Sequence, residues 1–223
     1  VEIKDAESLR GDYRANDGNM FHLEGDNSSV DVSCSGNIEF PWRVLYVSGD
    51  NCTANVTASK SIMTQNSSGT AILNSVGASS LVNVSAGISI IIGGHPIGGA
   101  RGILELSGPS GALSLPKTKI SLTTPLINFY DKNPITTEDE RGLIYMKTNA
   151  NAHVSINADT FKVDHIADVA LPGARFAGRM AVVGVSQTTV DFEAVIDYNV
   201  RLTLLGIDHN FDYNRLMNAT SLA

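Results

Sequence analysis

Between Asn51 and Pro116 the chain carries three charged residues, Lys60, Arg101 and Glu105. The rest of that stretch is Ser, Thr, Asn, Gly, Val and Ile in a rhythm close to two residues, as in SSLVNVSAGISIII. Alternation with period two is the pattern of β-strands, and clusters of Ser, Asn and Gly mark the turns between them. An ordinary globular domain carries about 25% charged residues, spread over its outer face. A long tract without them predicts a fibrous β-structure whose faces are covered by neighbouring coils or by identical chains.

From about residue 52 to 129 the chain reads as short strands: TANVTA, TAILNS, SLVNVSA, ISIII, GILELS, ALSL, TKISLT and LINF. Gly, Ser, Asn or Pro separates them, which suits a β-solenoid or an intertwined β-prism. No strict repeat of fixed length is visible, which argues against one motif per coil. A trimer tolerates irregular coils better, because three identical chains bury one another's apolar faces. Upstream, AESLR suggests a short helical turn and RANDGN a turn. VDVSC and RVLYV, bridged by SGNIEFPW, suggest the hairpin of a small cap sealed by Phe40 and Trp42. Residues 1–51 are thus expected to form an N-terminal cap or attachment region.

Downstream, DKNPITTEDERG (131–142) concentrates charge and reads as a solvated loop; GLIYMK, HVSINA and TFKVDHI then resume the alternation. ALPGAR (170–175) is a second turn. Longer strand-like runs follow, ARFAGRMAVVGVS and TTVDFEAVIDYNVRLTLLGIDHNFDYNRL, with a better apolar face. The expected organisation is a fibrous shaft over 52–171 and a small antiparallel C-terminal β-domain over 172–223.

A net charge of −7 argues against non-specific binding to nucleic acid or an anionic membrane, which requires a basic face. No apolar run approaches the roughly 18–20 residues that span a bilayer as a helix. VEIKDAESLR has no basic segment leading into an apolar one, so no signal peptide is expected. Six Asn-x-Ser/Thr triplets begin at Asn27, Asn51, Asn55, Asn66, Asn83 and Asn218, a number that a Ser/Thr/Asn-rich chain generates by chance. Cys34 and Cys52 are expected to be reduced, buried thiols, with a disulfide as the alternative.

Few residues suggest chemistry. Asp208, Asn210, Asp212 and Asn214 repeat every second position, like the oxygen ligands that open a calcium loop. Tyr213 stands where such a loop turns on Gly, and Ala219 where a bidentate Glu closes the shell. The string therefore reads as a strand with one polar face, a candidate receptor- or sugar-contacting surface, and no metal is expected. Glycoside hydrolysis needs two carboxylates about 5–10 Å apart. Glu138, Asp139 and Glu140 read as loop residues, and Asp191, Glu193 and Asp197 as an exposed strand face, so no catalytic pair is assigned. His22, His95, His153, His165 and His209 lack zinc-site spacing. IIGGHPIGGARG lacks the Gly-Lys-Ser/Thr of a phosphate loop and reads as a tight turn. No cofactor is expected.

The low-charge tract TAILNSVGASSLVNVSAGISIIIGG, its continuation SGALSLPKTKISLTTPLINF and the change to a C-terminal sheet resemble the tail spikes and tail fibres of bacteriophages. The resemblance covers most of the chain as a style of sequence, without a signature motif. It implies an all-β, elongated homotrimer with an intertwined β-helix or β-prism shaft. It also implies assembly in the host cytoplasm onto a virion tail, contact with other tail or baseplate proteins, and attachment to a host-surface glycan or protein. Three alternatives stay open: a polysaccharide-cleaving spike, a single-chain β-solenoid adhesin, and a baseplate fibre with no receptor role.

Overall fold

The computed structural model describes residues 1–11, 18–64, 72–74, 77–92, 103–108, 110–131, 144–146, 149–168, 181–182, 189–204 and 207–212. Across them the chain winds in successive coils. The first coil holds β1 (Glu2–Ala6), β2 (Leu9–Arg10) and β3 (Asn19–Leu23). The second holds β4 (Ser29–Cys34), β5 (Ile38–Phe40) and β6 (Arg43–Val47). The third holds β7 (Thr53–Ala58), β8 (Ser61–Thr64) and β9 (Leu73–Asn74), and the fourth β10 (Leu81–Ala86), β11 (Ser89–Ile92) and β12 (Leu104–Leu106). In the later coils one long strand replaces the first two: β13 (Thr118–Asp131) precedes β14 (Ile144–Met146), and β15 (Ala152–Asp168) precedes β16 (Ala181–Val182). β17 (Thr189–Leu204) and β18 (Ile207–Asp212) complete the described strands.

Each coil stacks in parallel on the one before. β1, β4, β7, β10, β13, β15 and β17 pair in that order, and β2, β5, β8 and β11 join the other half of β13. β3, β6, β9, β12, β14 and β16 form a second sheet that closes the third side. The protein is therefore all-β, with mostly parallel strands in a nearly closed sheet and no α-helix among the described residues. The exception in direction is β18, which runs antiparallel to Asn199–Leu204 of β17, while β17 itself pairs in parallel with β15.

The core follows from alternation read coil upon coil. Val30, Ala54, Val82, Ile120 and Val154 are register partners, as are Val32, Val56, Val84, Leu122 and Ile156, and all are buried. Ile38, Ile62, Ile90 and Ile127 form a second buried column, and Leu45, Leu73 and Leu104 a third. Parallel strands here are covered by neighbouring rungs about 4.8 Å away, so each apolar residue meets its own kind above and below. One chain fills this interior by itself; strands from three chains are not required across these coils.

Register also exposes a repeat. GDNSSVDVSC (25–34), GDNCTANVTA (49–58) and GASSLVNVSA (77–86) occupy the same place in successive coils. Asn27, Asn51 and Ser79 turn the chain with φ of +59°, +56° and +56°, in the left-handed region that Asn tolerates better than most residues. Asp26 Oδ1 accepts a hydrogen bond from the Asp50 N–H at 2.9 Å, and Asp50 Oδ1 from the Ala78 N–H at 2.7 Å. The carboxylate of one coil thus fixes the turn of the next.

Four local expectations fail. VDVSC and RVLYV form no hairpin: β4 pairs with β1 and β7, and β6 with β3 and β9. AESLR makes no helical turn, because Leu9–Arg10 is a strand laid on Ile38–Glu39. ALSL is no strand either; Ala112–Ser114 is a single 3-10 turn, with the Ser114 N–H donating to the Gly111 carbonyl at 3.1 Å. TKISLT and LINF merge through Pro125 into β13, so long strands begin at Thr118, well before residue 172.

Candidate functional site

The side of the stack formed by β4, β7, β10, β13 and β15 presents a regular polar face. Buried residues alternate there with outward ones: Val30, Val32 and Cys34 are buried in β4, and Ala54, Val56 and Ala58 in β7, with exposed or half-buried residues between them. The outward positions align by register into columns. Asp31, Asn55, Asn83, Ser121 and Ser155 form the middle one, with Ser33, Thr57, Ser85, Thr123 and Asn157 beside it. Neighbouring rungs are tied through their side chains. Asn83 Nδ2 donates to Asn55 Oδ1 at 2.9 Å, and Ser85 Oγ donates to Thr57 Oγ1 at 3.0 Å. These bonds fix which donors and acceptors remain turned to solvent. From β4 to β15 Asp31 is the one formal charge in these two columns, which offer hydroxyls and amides; Lys119 stands in the flanking column, and the register continues on β17 to Asp191 and Glu193.

The other side of this wall is held by buried polar contacts at the turn. Ser80 Oγ accepts from the Cys52 N–H at 3.0 Å, and Thr118 Oγ1 accepts from the Ser80 N–H at 3.0 Å. Cys34 and Cys52 are both free and buried. Cys34 ends β4, whereas Cys52 precedes Thr53, the partner of Ser29 at the start of β4. Six residues along a strand separate them by about 20 Å, far beyond disulfide reach. Burial pushes the Cys52 thiol above its ordinary value, and Asp26 and Asp50 push the same way against the Ser28 backbone hydrogen bond. Cys52 is therefore a protonated packing residue.

The expected receptor-contacting string falls on β18. Asp208 is the register partner of Thr203, Asn210 of Arg201, and Asp212 of Asn199; Asn214 lies outside the described residues. The strand predicted for Asp208–Asp212 therefore exists and lies at the edge of the last described rung. Asp191, Glu193 and Asp197 lie on β17 opposite Ser155, Asn157 and Lys162, with an irregularity that puts one extra residue in β15 between Asn157 and Thr160. Glu138, Asp139, Glu140, His95 and the glycine-rich stretch 93–102 lie outside the described residues. Among the described residues no group of three or more His, Cys, Asp or Glu side chains is placed to hold a metal ion.

Sequence reading missed the polar face because it is a property of register. The available signal was the recurrence of Val-Asp-Val, Ala-Asn-Val and Val-Asn-Val after a turn opening on Gly. No protein-family model, curated protein or solved structure matches the chain. The class the geometry defines is thus an all-β stack of parallel coils with an ordered polar flank.

Proposed function

We propose that the protein is a structural component of a virion tail fibre or tail spike that binds a host-cell surface receptor as a homotrimer. The observation that carries this reading is the hydrogen-bonded ladder of hydroxyls and amides over successive rungs. A rigid, nearly uncharged array of this kind keeps a fibre soluble and offers repeated contacts to a surface glycan or protein. Because each chain fills its own coils, the three chains associate side by side over the shaft, and any intertwining is confined to other parts of the chain. The edge of the last described rung, Asp208–Asp212 on β18, is the receptor-contacting surface, together with Asn214, which lies outside the described residues.

Purified protein is expected to block adsorption of the corresponding phage to its host. Substituting Asp208 and Asp212 with Ala should abolish that block while leaving native mass unchanged. Full blocking by the double variant would remove β18 as the contact, and no blocking by the unaltered protein would remove the receptor role. A second reading, a single-chain β-solenoid adhesin, is favoured by the core closed within one chain. It predicts a monomer that binds cells directly.

A further inference from the structure

The corner between the first and second sides stacks coil upon coil. The Lys60 N–H donates to the Gly36 carbonyl at 3.2 Å and the Ile88 N–H to the Lys60 carbonyl at 2.9 Å. A Cβ at Gly36 would lie 2.1 Å from the Glu7 carbonyl oxygen, which puts Glu7 at the same corner of the first coil. Pro125 and Asp159 continue the column, each one residue before Leu126 and Thr160, which follow Ser89 in register. Glu7, Lys60, Ile88, Pro125 and Asp159 are all exposed, Ile88 by 55%. Three residues further along each coil, Arg10, Glu39, Met63, Ile91, Asn128 and Lys162 are successive register partners. They form one outward column on the second side, because Ile38, Ile62, Ile90 and Ile127 beside them point into the core. A single exposed Ile is ordinary. Ile88 with Ile91 on its own coil and Met63 on the coil before is an apolar patch with charges at both ends.

The two columns match when the corner of one chain is set at equal height against the second side of another. Glu7 then faces Arg10 on the first coil, Ile88 faces Ile91 on the fourth and Asp159 faces Lys162 on the sixth. Lys60 faces Met63 with Glu39 one rung away, at about 4.8 Å. Within its own chain Arg10 Nε lies 3.6 Å from Glu39 Oε2, and the neighbour's Glu7 brings the guanidinium a second carboxylate. No level sets like charges together, and the apolar pair lies between polar ends, as in a protein interface. A three-fold rotation keeps every residue at its level. Packing corner against corner about the same axis would instead gather three copies of Lys60, and three of Glu7. We propose that the Glu7–Asp159 corner of each chain seats on the Arg10–Lys162 column of the next, forming a three-fold pinwheel of side-by-side stacks. This interface rests on the homotrimer reading above. The polar ladder on the first side takes no part in it.

Cross-linking and native mass of the full chain decide the matter. Cys34 and Cys52 are buried, so a thiol introduced at the surface reacts on its own. Ile88→Cys and Ile91→Cys chains, expressed together and oxidised, should give a disulfide-linked pair on a denaturing gel, whereas Ile88→Cys alone should give none. Ile88→Asp should lower the native mass from three chains to one with far-ultraviolet circular dichroism unchanged. Adding Ile91→Lys to Ile88→Asp should restore three chains. A three-chain particle that forms no link between positions 88 and 91, or that survives Ile88→Asp, would overturn this interface and leave the homotrimer standing. A link in Ile88→Cys alone would set corner against corner and overturn it as well. One or two chains for the unaltered protein would remove the homotrimer and the interface together.

Discussion

Gly25, Gly49 and Gly77 occupy the same turn in three successive coils, yet the structure assigns them very different tolerance to a methyl group. A Cβ at Gly77 would lie 1.8 Å from the Gly49 carbonyl oxygen and 2.4 Å from its carbon. At Gly49 it would lie 2.5 Å from the Gly25 oxygen, whereas at Gly25 the nearest atom is Ser28 Oγ at 3.4 Å. The obstacles at 49 and 77 are backbone atoms of the preceding turn, which cannot rotate away. Moving the Gly77 contact out to the 3.4 Å of ordinary packing shifts one rung by about a third of the strand spacing. That strains the bonds from Gly77 N to Val47 O at 3.0 Å, from Asn51 N to Ala78 O at 2.9 Å and from Ala78 N to Asp50 Oδ1 at 2.7 Å. At about 0.5–1.5 kcal/mol net for each bond, Gly77→Ala should cost about 1.5–4.5 kcal/mol. This is a large share of the 5–15 kcal/mol typical of a folded domain. Gly49→Ala should cost less, and Gly25→Ala should be within about 1 kcal/mol of neutral, with some gain from a stiffer unfolded chain. Urea unfolding followed by circular dichroism, with the m-value checked for constancy, gives the ranking. Equal midpoints for Gly25→Ala and Gly77→Ala would refute the stacking of these turns.

Ile62 and Ile90 are wholly buried in the same column, so truncating either to Ala should cost about 2–5 kcal/mol in the same assay. Asp50→Ala removes the acceptor for the Ala78 N–H and should cost about 1–2 kcal/mol, most of which Asp50→Asn should recover. The raised Cys52 thiol means that the folded state holds its proton more tightly than the unfolded chain. Its stabilisation is complete below the ordinary value of 9.0 and is lost as pH rises through the higher folded value. The stability difference between the unaltered protein and Cys52→Ala should therefore shrink with alkaline pH above 9.0, and a difference flat across that range would contradict the burial argument.

The strands were legible where alternation was clean. Val30, Val32 and Cys34 announce an inward face, and so do Ala54, Val56 and Ala58, because a half-covered strand needs no more than period two to declare itself. Their pairing was not legible. The turns at Gly25, Gly49 and Gly77 are 24 and 28 residues apart, and Asn83 then pairs with Ser121, 38 residues on. Connections of unequal length, between the second and third sides and again between β12 and β13, absorb the differences without disturbing the rungs, so the repeat holds through the turn and the first two strands of a coil. That is why two strands close in sequence, 30–34 and 43–47, suggested a hairpin while in fact lying on different sides of one coil. The polar columns through Asn55 and Asn83 become visible only once register is known. The Asp208–Asp212 strand was legible because its alternation is uninterrupted.

The native mass in solution, by light scattering on a sizing column before and after brief heating in detergent, tests the proposed fibre most directly. The account predicts three chains, each of 23.7 kDa, in a particle that resists detergent. A particle of one chain would contradict the trimeric tail fibre and leave a single-chain solenoid in its place.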